Sequence, residues 1–231
     1  MFNKLKKITY SKIQNIINNA ITMSYKDIDL AIQRRALEST VDYINKNMTN
    51  IQSVKNKFQV IDYALSKISN KKGLILEFGV YKCETINYIA KRLSNLKIFG
   101  FDSFEGLPEN WRDGFPKGTF SLNEIPNVED NVVLIKGWFE KSIPDFIIQN
   151  QDDIVFLHID CDLYSSTKTI FNNLNNQIKK GTVIVFDEYF NYPGWENGEF
   201  KAFQEFVKDN DIQYSYLTYN KLNEQVAIII L

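Results

Sequence analysis

The 231-residue sequence contains little histidine or cysteine and no long apolar run. Its one His excludes a zinc site built from several histidines. Cys83 and Cys161 are too far apart for a CxxC motif and too few for a disulfide framework, which favours a reducing compartment. Because no apolar run approaches the ~20 residues that a membrane span needs, we expect a soluble, cytoplasmic protein. In an enzyme of this composition, carboxylates must supply most of the acid, base or metal-binding groups.

The net charge is close to zero but unevenly distributed. The chain has 27 Lys+Arg and 28 Asp+Glu, which excludes a dominant electrostatic footprint for nucleic acid. Residues 1–72 hold 13 of the basic and 5 of the acidic residues, and residues 73–231 hold the other 14 and 23. We therefore predict a basic N-terminal helical extension (1–72), acting as a lid or in oligomerisation, and an acidic main domain (73–231).

One helical stripe of the extension is apolar and consists of Ile8, Ile13, Ile16, Ile17 and Ile21. Such a stripe usually covers a core, so we expect it to pack on the protein's own domain. Docking on a membrane surface or on a partner protein is the alternative.

Hydrophobic periodicity predicts an alternation of helices and strands after the extension. The predicted helices are residues 8–22, 26–47, 51–69, 84–93, 140–148, 163–178 and 198–209. The predicted strands are residues 74–79, 97–101, 132–136, 154–159, 182–186, 213–219 and 225–231. This pattern indicates an α/β protein with a Rossmann-like, doubly wound, seven-stranded sheet that is mostly parallel. The last two strands are joined without a helix, so they should form an antiparallel pair at one edge.

The first candidate site is the glycine turn after the strand that ends at Gly79. Gly79 would let a ligand approach the backbone, and the following helix start supplies free N–H groups. Asp102 ends the next strand, where a carboxylate can accept both hydroxyls of a ribose. An ordinary strand-to-helix turn or an NAD site would have the same layout. However, Glu77 would repel a pyrophosphate, so the turn favours a cationic nucleoside such as S-adenosylmethionine.

The second candidate site is a group of acids that follows two neighbouring strands. Asp160 and Asp162 follow one strand, and Asp187 and Glu188 follow the next, so all four should meet at one edge of the sheet. Converging oxygen ligands predict a hard cation, Mg²⁺ first, with Ca²⁺ or Mn²⁺ as alternatives. The competing interpretation is that these are solvated acids that cap helices. His158 lies inside the apolar strand, which favours a hydrogen-bonded core histidine over a ligand or base.

Several segments together resemble the macrocin (TylF-type) O-methyltransferases. The resemblance covers about residues 50–231 and depends on E-F-G-V-Y at 77–81, G-F-D-S-F-E-G-L-P at 100–108, K-G-W-F at 136–139, H-I-D-C-D-L-Y at 158–164 and F-D-E-Y at 186–189. The family has the class I methyltransferase fold. Its members use S-adenosylmethionine and a metal ion to methylate sugar hydroxyls or related positions of natural products and surface glycans.

The resemblance implies roles for individual residues. Glu77, Gly79, Tyr81 and Thr85 would hold the methionine portion of the cofactor, Asp102 and Ser103 the ribose, and Gly137 and Trp138 the surroundings of the adenine. Asp160 would border the cofactor and, with Asp187 and Glu188, bind Mg²⁺. Two positions depart from the family pattern: Cys83 stands where many members have glycine, and Glu188 stands where many have aspartate.

Methyl transfer to a hydroxyl also needs a base and a shielded acceptor site. Asp162 is our candidate base, and the alternative is that it orients other groups while the metal alone acidifies the hydroxyl. The loop 109–118, with Trp111 and Arg112, is predicted to be a lid over the acceptor, against the alternative of a plain surface loop. Further candidate acceptor contacts are Tyr164, Tyr189 and Trp195.

The expected activity is thus S-adenosylmethionine- and Mg²⁺-dependent methylation of a sugar or glycan precursor, as in polysaccharide biosynthesis. A catechol-type small-molecule O-methyltransferase is one alternative. The other is a non-catalytic S-adenosylmethionine-fold module whose extension docks a partner. We expect a small-molecule or glycan-precursor substrate, no nucleic acid, no stable membrane insertion, and a homodimer or higher homo-oligomer.

Overall fold

Helices and strands alternate along most of the chain. The computed structural model describes residues 2–69 and 72–231, with side chains from Lys12 onward. The helices are α1 (Phe2–Lys26), α2 (Ile28–Asn47), α3 (Lys57–Leu65), α4 (Glu84–Arg92), α5 (Phe139–Gln149), α6 (Tyr164–Leu174) and α7 (Glu199–Asp209). The strands are β1 (Gln52–Val54), β2 (Leu74–Phe78), β3 (Ile98–Asp102), β4 (Val132–Lys136), β5 (Ile154–Ile159), β6 (Ile178–Phe186), β7 (Tyr214–Asn220) and β8 (Val226–Ile230).

All eight of these strands form one sheet in the order β1-β7-β8-β6-β5-β2-β3-β4. The pairs among β2 to β6 are parallel, and β8 lies antiparallel between β6 and β7. The predicted α/β fold class and antiparallel pair are therefore confirmed. The predicted count of seven strands is wrong, because β1 pairs in parallel with β7 and adds an edge strand.

The same strand corrects the prediction of one helix over residues 51–69. Those residues form β1 and then α3, which begins after the Asn56 side chain accepts a hydrogen bond from the Gln59 N–H at 3.0 Å. Val54 continues the helical spacing of Phe58 and Ile61, so a three-residue strand is invisible in the periodicity. Asn70 and Lys71, at the predicted junction with the main domain, lie outside the described residues.

Two helical layers bury the sheet. Every residue of β2 and β5 is buried, as expected for parallel strands that are covered on both faces. Leu76 and Leu157 pack in the core beneath α5, α6 and α7, whereas Ile75 and Phe156 pack in the core beneath α3 and α4. Because side chains alternate along a strand, Glu77 and His158 project towards the α3–α4 face.

The two N-terminal helices differ in how they contact this body. Helix α2 is anchored, because the Thr40 hydroxyl accepts a hydrogen bond from the Asn191 N–H at 2.9 Å and Thr40 is buried. Helix α1 leaves most of its isoleucine stripe exposed: Ile13, Ile16, Ile17 and Ile21. The expected packing of this stripe on the protein's own domain is therefore wrong for these four residues, and the side chain of Ile8 lies outside the description.

The predicted division at Lys72 cuts through elements that join the main body. Strand β1 and helix α3 precede Lys72, yet β1 extends the sheet and α3 packs beside β6, β7 and β8. Among the described helices, α1 leaves most of its apolar stripe exposed, whereas α2 places Ala36 in the buried core. No helix within the described residues is long and apolar enough to cross a membrane.

Candidate active site

One cavity of about 720 Å³ opens at the carboxyl ends of the parallel strands. It lies where the strand order changes direction between β2 and β5, the usual ligand position in doubly wound sheets. Most of the sequence-predicted site residues line it: Glu77, Gly79, Tyr81, Thr85, Asp102, Ser103, Trp111, Arg112, Gly137, Trp138, Asp160, Asp162, Asp187 and Glu188. Residues from distant parts of the chain are thus brought together as predicted.

Gly79 lies at the closest approach between two of the loops that form the cavity. Its φ is +86°, and its N–H donates to the carbonyl of Phe101 at 2.9 Å. A Cβ at this position would lie 1.8 Å from the carbonyl oxygen of Asp160. A side chain would therefore separate the glycine turn from the acid-bearing loop after β5, which explains the glycine physically.

Asp102 organises the glycine turn through hydrogen bonds to the backbone. Its Oδ2 accepts the N–H groups of Val80 and Tyr81 at 3.0 and 2.9 Å, and its Oδ1 accepts that of Phe104 at 2.7 Å. A carboxylate has about four acceptor sites, so about one remains for a ligand. The side chain can therefore accept one ribose hydroxyl while it keeps these bonds, rather than both.

Cys83 is one of the two positions that depart from the family pattern, and the structure shows what the cysteine changes there. It precedes α4 with φ +62°, a left-handed conformation that favours glycine. Its side chain is fully buried in the core beside α4 and does not line the cavity. The departure therefore strains the backbone rather than changing the cavity wall. Burial, with Glu77 and Asp102 nearby, raises the pKa of the Cys83 thiol to about 11, and both cysteines are buried and free.

The acids after β5 and β6 converge in two overlapping groups. Oxygen atoms of Asp160, Asp162 and Glu188 lie within 4.8 Å of one another, and so do ligand atoms of His158, Asp160 and Asp187. Within the described residues, Asp187 Oδ1 and Glu188 Oε2 are buried without a hydrogen-bond partner. Unsatisfied buried carboxylate oxygens are costly unless a cation joins them. The donor set therefore fits a hard divalent cation, and Asp162 is close enough to belong to it.

Burial and mutual repulsion perturb the pKa values in this group. Desolvation first, and the nearby Asp187 carboxylate second, raise the pKa values of Asp160 and Glu188 well above the ordinary range. Desolvation also raises the pKa of Asp162 to about 7, although Arg112 opposes the shift. A carboxylate with a pKa near the operating pH suits proton transfer.

The only His of the chain links the two candidate sites. His158 Nδ1 lies 3.3 Å from Glu77 Oε2, and Nε2 lies 3.9 Å from Asp187 Oδ1. Burial opposes a charge on the imidazole, but the interaction with Glu77 outweighs it and raises the pKa of His158. The residue lies in the core, as favoured from the sequence, and its two acidic neighbours also make it part of the site.

Glu199 is a site residue that the sequence did not reveal. It is completely buried at the start of α7. Its Oε1 accepts the N–H of Cys161 and its Oε2 accepts that of Glu188, both at 3.3 Å. One carboxylate thus holds the two acid-bearing loops together. The only signal was an acid in the first turn of a predicted helix, which is too common to indicate this role.

Lys57 is the second residue that the sequence analysis missed. It is the first residue of α3 and lines the cavity. Burial alone would lower the pKa of its ammonium group, but Asp187, Asp160 and Glu77 outweigh this effect and raise it. A positive charge therefore lies near the acids, on the face of the sheet that α3 covers.

The predicted lid loop contacts two other parts of the cavity rim. Arg112 Nη1 lies 3.2 Å from Glu224 Oε1, and the guanidinium stacks 3.9 Å from the Trp111 ring centre. The Ser165 hydroxyl donates to Glu109 at 2.6 Å. These contacts tie the loop to two other parts of the chain, and several of its residues line the cavity. That the loop opens and closes as a lid stays a prediction.

The structure places three predicted acceptor contacts outside the cavity lining. Tyr164 donates to Glu205 of α7 at 2.7 Å. Tyr189 is fully buried and its hydroxyl pairs with that of Tyr216 at 2.8 Å, and Trp195 donates to the Ser39 hydroxyl at 2.9 Å. Aromatic residues after a strand can serve packing as well as binding, and here they hold α2 and α7 to the body.

Comparison with known proteins agrees with the resemblance found in the motifs. A family model described as Macrocin-O-methyltransferase (TylF) matches residues 119–219, which supports the resemblance over that part of the chain. Demethyldecarbamoylnovobiocin O-methyltransferase of Streptomyces niveus is 24% identical over 170 residues, or 63% of each chain. The match thus spans less than two thirds of that relative's length.

Solved structures share the fold. Two structures of CalS11, described as a calicheamicin methyltransferase and as a TDP-rhamnose 3′-O-methyltransferase, align with TM-scores of 0.61 and 0.54. They are 19% and 18% identical, and the alignments cover 87% of this chain and 91% and 93% of CalS11. An O-methyltransferase from Bacillus cereus in complex with SAH aligns with a TM-score of 0.51 at 13% identity, covering 87% and 90%. At these identities the likeness shows a methyltransferase fold.

Proposed function

We propose that this protein is an S-adenosylmethionine-dependent O-methyltransferase that acts on a hydroxyl group of a sugar or glycan precursor. The observation that carries the proposal is the shared cavity, in which the glycine turn and Asp102 border the converging acids around Asp160. A nucleoside site next to a cation site is the arrangement that metal-assisted methyl transfer requires. The TylF family match and the methyltransferase fold support the same activity.

The residues that would hold a divalent cation, Mg²⁺ first, are Asp160, Asp187 and Glu188, with Asp162 within reach. When bound, such an ion would position an acceptor oxygen and make its hydroxyl more acidic. Glu199 would hold these ligands in fixed relative positions, since its carboxylate accepts hydrogen bonds from the backbone of both loops.

When bound, S-adenosylmethionine would supply a methyl group for in-line displacement, in which the acceptor oxygen would bond to the methyl carbon while the carbon–sulfur bond breaks and its electron pair stays on the sulfur of S-adenosylhomocysteine. Asp162 would accept the hydroxyl proton, since it lines the cavity and its pKa is raised to about 7. Gly79 and the turn to Thr85 would hold the methionine end, Asp102 the ribose, and Trp138 the adenine.

A sugar acceptor suits the part of the cavity under the lid loop. Trp111 and Phe115 line it and offer aromatic faces for a sugar ring, while Arg112 offers donors for oxygen atoms. One structural neighbour, CalS11, is described as acting on TDP-rhamnose, which supports a sugar over a catechol.

The test combines binding with a methyl-transfer screen. Calorimetry with S-adenosylhomocysteine should detect binding; a protein that binds neither the cofactor nor this product would refute the proposal. Transfer of labelled methyl groups should then be screened over nucleotide sugars, glycan fragments and catechols, with and without EDTA. Loss of turnover in EDTA and recovery with Mg²⁺ would support the metal. Asp162→Asn should abolish turnover while keeping cofactor and Mg²⁺ binding, and full turnover would remove the assigned base.

We further propose a homo-oligomer that is formed through α1 and α2. Ile16 is 67% exposed and Ile13 is 50% exposed, and Leu37 and Val41 of α2 are also exposed. Apolar helix faces of this kind are usually covered in the assembled protein. Light scattering of the full chain should give at least a dimer, and Ile16→Glu should shift it towards the monomer; a monomeric wild type would contradict this proposal.

A further inference from the structure

Lys57 is held firmly at the wall of the cavity. It follows the Asn56 cap of α3, and the next turn of that helix buries Val60 and Ile61 completely. Phe58, its neighbour, stacks against Tyr88 of α4 with ring centres 4.2 Å apart. The start of α3 is therefore fixed against α4 and the sheet, and Lys57 faces the cavity from a rigid position.

The surroundings of Lys57 are acidic, yet its ammonium, which lies 5.9 Å from the ring centre of Phe58, forms no ion pair within the described residues. Its charge is favoured by Asp187, Asp160, Glu77 and Glu84. Among the ion pairs of the described residues, however, none within 4.0 Å involves Lys57. A lysine near several carboxylates but bonded to none of them leaves its three N–H donors available to a ligand.

The two other cationic side chains of the described cavity wall contact other groups. Arg112 pairs with Glu224 at 3.2 Å. The ammonium of Lys82 lies 5.1 Å from the ring centre of Tyr81. Lys57 is a lining cation that Asp187, Asp160 and Glu77 favour and that forms an ion pair with none of them.

We propose that Lys57 binds the α-carboxylate at the methionine end of S-adenosylmethionine, an inference that rests on the proposed function. An amino-acid end group carries one positive and one negative charge, so its site needs a group of each sign. Glu77 Oε2 lies 3.3 Å from His158 Nδ1, but its Oε1 is buried without a hydrogen-bond partner within the described residues, which suits Oε1 to an ammonium group. Lys57 provides the opposite charge on the same cavity wall.

Three ligands separate this role from a general electrostatic one. S-adenosylmethionine carries the carboxylate, decarboxylated S-adenosylmethionine keeps the amine and sulfonium without it, and 5′-methylthioadenosine lacks the amino-acid part. Calorimetry on the full chain should show that Lys57→Gln weakens S-adenosylmethionine by about 10- to 100-fold, the range for a charge-assisted hydrogen bond. The other two ligands should change by less than about threefold.

Two variants control the comparison. Lys57→Arg keeps the charge and should recover most of the affinity for S-adenosylmethionine. Lys97→Gln removes a cation outside the cavity lining, one that lies over Phe99, and should leave the affinities of all three ligands nearly unchanged. The unfolding temperatures of all variants in the absence of ligand show whether a loss of binding comes from a loss of folding.

The outcomes are distinct. Unchanged binding of S-adenosylmethionine to Lys57→Gln would overturn the inference. An equal loss for all three ligands would also overturn it, because Lys57 would then act through the acid cluster or the fold. If the wild type binds none of the three ligands, the proposed function falls and this inference falls with it.

Discussion

Replacing Gly79 with alanine should damage both the fold and the candidate site. The new Cβ would lie 1.8 Å from the Asp160 carbonyl oxygen and 2.7 Å from its carbonyl carbon, so backbone must move. A left-handed conformation costs about 1–2 kcal/mol for alanine, and forced overpacking costs about 1–3 kcal/mol more. We therefore expect the free energy of unfolding to fall by about 2–5 kcal/mol.

Gly194→Ala is the matched control for this substitution. Gly194 has nearly the same φ, +81° against +86°, but an added Cβ would meet nothing within 4 Å. The control should lose only about 1–2 kcal/mol, the conformational part of the cost. At about 2–4 °C per kcal/mol for a chain of this size, Gly79→Ala should unfold about 2–12 °C below the control. Equal unfolding temperatures of the two variants, measured by calorimetry, would refute the steric reasoning.

Three further predictions concern the acids and the lid. Glu199→Gln places an amide N–H₂ against a backbone N–H. Denaturant unfolding should therefore show that the free energy of unfolding falls by about 1–3 kcal/mol, and a Mn²⁺ titration should show weaker metal binding. If neither quantity changes, Glu199 does not hold the two loops together. In EDTA, the unfolding temperature should fall as the pH rises from about 5 to 8. Folding raises the pKa values of these carboxyl groups, to about 7 for Asp162, so the stability that they contribute at low pH is lost as they ionise. Mg²⁺ should reduce the fall, and an unfolding temperature that rises with pH would contradict this prediction. Arg112→Gln and Glu224→Gln should each speed hydrogen exchange in the lid loop, and the double variant should add little; additive effects would mean that the pair does not hold the lid.

The sequence predicted those parts of the fold that have a strong local signal. Long apolar runs such as Ile154–Ile159 predicted buried parallel strands, and the missing helix between the last two strands predicted their antiparallel pairing. Strand β1 escaped because its three residues carry no period of their own and depend on pairing with β7. A strand that is formed by tertiary pairing cannot be read from local spacing.

The residues of the candidate site also differ in whether local sequence signals could reveal them. Gly79, Asp102 and Asp160 follow strand ends, so topology alone places them at one edge of the sheet. Lys57 and Glu199 begin helices far away in the chain and reach the site only through the packing of those helices. Tyr189 and Trp195 were wrongly predicted to contact the acceptor. They follow the acid motif in the sequence, but their side chains are buried in the core.

The charges around the cavity are mostly negative in the absence of a ligand. Nine carboxyl side chains line it, against three basic side chains, those of Lys57, Lys82 and Arg112; the nine are Glu77, Glu84, Asp102, Glu109, Glu140, Asp160, Asp162, Asp187 and Glu188. Two oxygen atoms of the converging group, Asp187 Oδ1 and Glu188 Oε2, are buried without a hydrogen-bond partner within the described residues. Burying so many acids is costly unless cations join them. A divalent cation and the sulfonium of S-adenosylmethionine would both reduce this excess of negative charge, which neither a packing role nor helix capping explains.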